Sequence, residues 1–139
     1  MVDREVFEGR LARLEELLRH LRRLAQADRQ AFLRDPGLQA QAERWLHLAA
    51  EGCLDLAHHL IADRGWRTPE TYRDAFVVLR EEGALSEELA GRMEDWAGLR
   101  NVLVHLYLDV DHALLWRILA EDLDDLEQFA ATIAGVGDG

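Results

Sequence analysis

Apolar residues recur along this chain at spacings of three and four, with polar residues filling the gaps. In REVFEGRLARLEELLRHLRRLA, Phe7, Leu11, Leu14, Leu18, Leu21 and Ala25 keep that rhythm, which stacks them on one face of an α-helix. Leu17 and Leu24 widen the stripe, as suits a helix packed in a bundle better than an isolated coiled coil. A second helix is expected to start at Asp35-Pro36. The aspartate caps the first turn, and proline fits the first helical position because it has no N–H to leave unpaired. It runs through LQAQAERWLHLAAEGCLDLAHHLIADRG with Trp45, Ala49, Cys53, Leu56 and Leu60 as its stripe and Gly65 as its stop. Ala49, Ala50 and Gly52 are small enough to admit a neighbouring helix. The third helix repeats this grammar, with Thr68 as cap, Pro69 as start and Gly83 as end. Ser86 caps the fourth, with Glu87 and Glu88 in its first turn, where negative charge suits the helix dipole. That helix carries AGRMEDWAGLRNVLVHLYL. Asp109 or Asp111 caps the fifth, HALLWRILAEDLDDLEQFAATIAG, whose Leu115, Leu119, Leu126 and Phe129 face inward. Residues 135–139, GVGDG, are expected to fray. Strand patterning is weak, and no repeat or linker divides the chain. The expectation is an all-α fold, a single-domain five-helix bundle over residues 1–139.

The 139 residues can support a proper core, since a domain near this size buries about 68–70% of its unfolded surface. With 49% apolar and 31% charged residues, the chain falls outside the disordered class. Its net charge of −11 is unevenly spread. Residues 1–34 carry eight Arg against six acids, residues 35–100 seven against thirteen, and residues 101–139 one against eight, balances of +2, −6 and −7. A generally acidic surface repels nucleic acid, so any RNA contact needs a local basic patch. The arginines of the first helix and Arg100 are the candidates. All sixteen basic residues are Arg, for which coding bias is a sufficient reason. Cys53 is the only cysteine, so no intrachain disulfide forms. There is no signal-peptide pattern, and no apolar run approaches about 18 residues. No membrane association and a cytoplasmic location are expected.

One stretch carries more polar chemistry than a core helix needs. RNVLVHLYLDVD places Arg100, Asn101, His105 and Tyr107 among Val and Leu. At about 100° per residue, Arg100 and Tyr107 share a face and Asn101 and His105 stack beside it. Val102, Leu103 and Leu106 point elsewhere and hold the helix in the core. This is a workable kit for cleaving a phosphodiester without a metal. His exchanges protons near neutrality, and Arg offers fixed charge and forked donors to a phosphate. Asn can orient either, and Tyr can stack on a base or bond a phosphate. One Arg and one His make a sparse site, which a second copy across a two-fold axis would double. A plainer reading stands beside it, with His105 a structural histidine and Arg100 favouring the helix dipole. Asp109 and Asp111 are better read as caps than as metal ligands. His58 and His59 point about 100° apart and suit packing better than a shared metal. His20, His47 and His112 are too scattered for a metal cluster. No metal or other cofactor is therefore expected.

RNVLVHLY also resembles the R-x4-H-x-Y signature of the HEPN superfamily, specifically its HepT-type toxins. The likeness extends along the chain. ERWLHLAAEGCLDLAHHLIADRGWRTPETYRDAFVVLREEGAL is similar to that family's second and third helices, and VDHALLWRILAEDLDDLEQF to its closing helix. One departure is His58, where many relatives have Asn. The resemblance implies a HEPN-type bundle that dimerises with its R-x4-H faces meeting at a cleft. It implies a type VII-like HEPN/MNT toxin–antitoxin system, in which the toxin is a metal-independent endoribonuclease. Arg100 and His105 would then be catalytic and Asn101 supporting. The implied partner is an MNT-type nucleotidyltransferase antitoxin, which neutralises the toxin by transferring AMP to the motif tyrosine, Tyr107, possible higher assemblies included. The alternative is a non-catalytic binding partner and AMP acceptor of a minimal nucleotidyltransferase.

Overall fold

The computed structural model describes residues 4–105 and 111–137, without the side chains of residues 101–105. Its described residues form seven helices and no strand. They are α1 (Arg4–Leu24), α2 (Arg29–Arg34), α3 (Pro36–Arg64), α4 (Tyr72–Glu81), α5 (Glu87–His105), α6 (His112–Glu121) and α7 (Leu123–Gly137). The all-α architecture is as expected, but the expected five helices become seven. The 29-residue α3 is the axis of the bundle, and each of the other six packs against it. α1 and α7 lie together on one side of it. α4 and α5 form a pair on another, and α2 meets α6.

The two additional helices have local causes. α2 is six residues long and shows only one buried apolar anchor, Phe32, too little for a periodic stripe. It forms because Asp28 accepts a hydrogen bond from the Ala31 N–H at its start. At its end, the Phe32 carbonyl accepts from the Asp35 N–H at 3.3 Å and from the buried Gln39 amide at 3.0 Å, so the polar groups of both residues are paired where burial would make them costly. Asp35 then caps α3 as expected, accepting from the Gly37 and Leu38 N–H groups. The expected fifth helix divides at Asp122, between α6 and α7, while Leu119, Leu123 and Leu126 stay fully buried through the break.

Three boundaries sharpen the sequence reading. α4 is capped by Thr71 rather than Thr68, and begins at Tyr72 rather than Pro69. The Thr71 hydroxyl accepts from the Asp74 N–H, and the Asp74 carboxylate accepts from the Glu70 N–H, both at 2.9 Å. Only the later threonine has an acid three residues on to complete this reciprocal cap. Ser86 caps α5 through the Leu89 N–H. Asp111 caps α6 through the Ala113 and Leu114 N–H groups; Asp109 lies outside the described residues. α7 continues to Gly137, the Arg64 guanidinium donates to the Val136 carbonyl at 2.8 Å, and a Cβ at 137 would stand 2.5 Å from the Phe7 ring. Residues 138 and 139 lie outside the described residues.

The core follows the stripes. Leu14, Leu18 and Leu21 of α1 meet Ala49, Cys53, Leu56 and Leu60 of α3, with Gly52 in contact distance of Leu14. Leu11, Ala25 and Trp45 are half-buried at its edge. Phe76 and Phe129 meet edge to face at 5.7 Å between centroids, a favoured aromatic geometry. The Cys53 thiol is enclosed, and burial pushes its pKa up, so it behaves as a small apolar residue. No helix of the described residues is long and apolar enough to cross a membrane.

Candidate functional site

α5 places Arg100 one turn before its end, with helical backbone running on through His105. Positions 100, 101 and 105 therefore belong to one continuous helix. The side chains of Asn101 and His105, and all of Tyr107, lie outside the described residues. Arg100 anchors the site.

Its guanidinium is held from two sides. From α3, the Glu51 carboxylate accepts from Arg100 Nε and pairs with Nη2. From the start of α4, the Tyr72 ring lies under it, 4.5 Å from Cζ to the ring centroid, within range of a cation–π contact. Only 16% of the Arg100 side chain is exposed, against 30% of Glu51. His47, one turn earlier on α3, approaches the same Glu51 oxygen at 3.3 Å. Glu51 thus sets the plane of the guanidinium and is itself steadied by His47. An arginine fixed in this way is preorganised for an anion, since its position need not be found anew when charge develops.

A cleft opens beside Arg100, lined by His58, Thr71, Tyr72, Arg73 and Gly98 among others. His58 and His59 diverge, as their spacing implies. The His58 Nδ1–H donates to the Leu54 carbonyl at 2.9 Å, while the His59 ring stacks on Phe7.

The basic patch expected on the first helix is partly neutralised. Arg4 pairs with Glu8 and Arg13 with Glu16. Arg22 pairs with Asp124 and Glu127, tying α1 to α7, and the hydrogen bond to Glu127 chiefly raises its pKa. Sequence reasoning found Arg100 but missed Glu51, His47 and Tyr72. These lie on other helices, so no local spacing links them to the motif.

Residues 14–133 match the ribonuclease HepT-like family. The chain belongs to that family. Within it, the chain is 24% identical to the mRNA nuclease HepT of Shewanella oneidensis over 129 residues, covering 93% of this chain and 96% of the relative. It is 29% identical over 110 residues to the tRNA nuclease HepT of Aphanizomenon flos-aquae, covering 79% and 75%. A solved structure of the tri-AMPylated Shewanella oneidensis HEPN toxin in complex with MNT antitoxin superposes with a TM-score of 0.86 at 24% identity, covering 97% of this chain and 99% of the other. The HepT-like fold is therefore shared over nearly the whole chain, from α1 to α7.

Proposed function

We propose that this HepT-like chain is an endoribonuclease toxin that needs no metal and works through Arg100 and His105, with Asn101 supporting, at a cleft between two copies. The observation that carries this reading is Arg100 itself. It is mostly buried, fixed by a carboxylate and an aromatic ring, and borne on the helix that continues through His105. In the reaction, a ribose 2′-OH loses its proton and attacks the adjacent phosphorus. The P–O5′ bond breaks, the 5′-oxygen takes up a proton, and a 2′,3′-cyclic phosphate results. His105 serves the proton transfers and Arg100 the charge on the non-bridging oxygens.

The relatives' nuclease names and the antitoxin complex support this reading, and they supply the regulator. An MNT-type nucleotidyltransferase would transfer AMP to Tyr107. The phenol oxygen attacks the α-phosphate of ATP, losing its proton and releasing pyrophosphate. The anionic adduct would then occupy the phosphate site beside Arg100 and exclude RNA.

The test is cleavage of RNA by purified protein in EDTA. The wild type is expected to yield cyclic-phosphate ends, and Arg100→Ala and His105→Ala to lose at least about a hundredfold in rate. Undiminished cleavage by His105→Ala would overturn the catalytic assignment. The close pairing of Arg100 with Glu51 favours one second reading, a non-catalytic AMP acceptor. It predicts an AMP adduct on Tyr107 after co-expression with the nucleotidyltransferase, and no RNA cleavage at any protein concentration.

A further inference from the structure

Beside the Arg100 anchor, Tyr72, Arg73 and His58 converge on one cleft. Tyr72 is 43% exposed, one of two large hydrophobic side chains so exposed among the described residues. A lone exposed ring is ordinary. This one is braced, with Arg100 over it and the His58 ring edge-on at 6.4 Å. Next to it, Arg73 has no ion pair or hydrogen bond among the described residues. Its guanidinium lies against α5 where the side chain is missing: a Cβ on Gly98 would stand 2.8 Å from Arg73 Nη2. His58 commits its Nδ1–H to the Leu54 carbonyl, which leaves Nε2 of the neutral ring as an acceptor.

We propose that the cleft lined by Tyr72, Arg73 and His58 is a base-binding subsite that holds the nucleobase next to the phosphate engaged by Arg100. The ring offers a stacking face, Arg73 a flat donor and second stacking plane, and His58 an acceptor for a base N–H. These are the groups that recognise unpaired bases. The cleft encloses about 660 Å³, within the range of roughly 300–1,000 Å³ typical of small-molecule pockets. Glu70 lines it too and disfavours a second phosphate there, which points to an uncharged base. The inference rests on the RNA-cleaving reading for its ligand and for a phosphate held at Arg100, but not on His105 or Asn101.

The test uses a 2′-O-methylated oligoribonucleotide, which binds without being cut, and the same strand made abasic. Anisotropy titrations give the ratio of the two affinities. The wild type, Tyr72→Phe and Tyr72→Trp are expected to prefer the base-bearing strand by about tenfold per stacked base, and Tyr72→Leu to lose most of that preference. Arg73→Ala and Gly98→Ala should weaken it in the same direction. In cleavage of unmodified RNA, Tyr72→Leu should alter the nucleotide preference at the cut and, by loosening Arg100, also lower kcat, whereas Arg73→Ala should act on KM more than kcat. A Tyr72→Leu protein that keeps the wild-type affinity ratio and cut-site preference would overturn the proposal. Loss of the ratio in Tyr72→Leu, with His105→Ala still cutting normally, would sink the catalytic reading and uphold the subsite. The reverse pattern would sink the subsite alone.

Discussion

Glu51 decides how Arg100 is presented. Its carboxylate holds the guanidinium edge, so the arginine is fixed in position but partly neutralised. The two effects oppose each other in catalysis and can be separated. Glu51→Gln keeps the shape and removes the charge, so Arg100 is held less firmly while the local field becomes more attractive to phosphate. The variant is expected to lower kcat, by up to about a hundredfold if the guanidinium shifts by an ångström, while KM holds or falls. An unchanged kcat would show that Glu51 does not position Arg100. This residue also marks how far the sequence could be read. Arg100, Asn101 and His105 stood out because helical spacing is local. Glu51 lies 49 positions upstream and looks like any polar position on an amphipathic helix. Tyr72 likewise reads as an unremarkable first-turn aromatic. Only the packing of α3, α4 and α5 turns these three positions into one site.

At the level of elements, stripes and caps were legible wherever the signal was long or unique. The paired threonines before α4 and the single anchor of α2 were not, because the choice there rests on one hydrogen-bonded acid or one buried carbonyl. The break at Asp122 has a testable electrostatic signature. Burial first, then Asp125 and Glu121, raise the pKa of this carboxyl, while Arg117 opposes them. A group whose folded pKa is raised favours the fold below its unfolded value, and that contribution is lost as pH rises through the folded value. Asp122→Asn is therefore expected to raise the melting temperature at neutral pH, with the gain fading in acid as the native aspartate becomes protonated. An equal gain at every pH would locate the effect elsewhere. Asp74 has the opposite sign. Hydrogen bonds from Arg67 and from the Glu70 N–H hold its pKa down to about 2. Its contribution is present above the ordinary carboxylate value of about 4 and is lost as pH falls toward 2. Arg67→Ala should remove most of that acid-sensitive component, together with the smaller one from Glu81, whose pKa Arg67 also lowers, and leave the remainder held by the Glu70 N–H. Packing sets a larger scale. Leu14 is fully buried between α1 and α3, and Leu14→Ala is expected to cost about 2–5 kcal/mol in denaturant unfolding. A loss under about 1 kcal/mol would mean that the α1–α3 seam relaxes around the gap.

For the whole molecule, charge and the proposed cleft pull against each other. Each chain carries −11, so two copies repel over a distance that salt controls, since the Debye length is about 8 Å at 0.15 M and about 30 Å at 0.01 M. If the working site is a cleft between copies, activity must follow association, and association must strengthen with ionic strength. RNA binding runs the other way, because cations that neutralise phosphate lose affinity as salt rises. Specific cleavage rate is therefore expected to pass through a maximum as salt increases from about 0.01 M. Sedimentation equilibrium should show twice the 15.9 kDa chain mass at and above that maximum, and dissociation below it. Mixing provides the independent check. If both histidines serve one cleft, excess His105→Ala chain should suppress wild-type cleavage by drawing it into mixed dimers. The double variant Arg100→Ala/His105→Ala, which binds phosphate less well, should suppress it at least as much. That second arm separates dimer poisoning from simple competition for RNA, which would weaken with the arginine removed. A species of 15.9 kDa with full specific activity at every dilution, indifferent to added His105→Ala chain, would mean that a single copy carries the whole site.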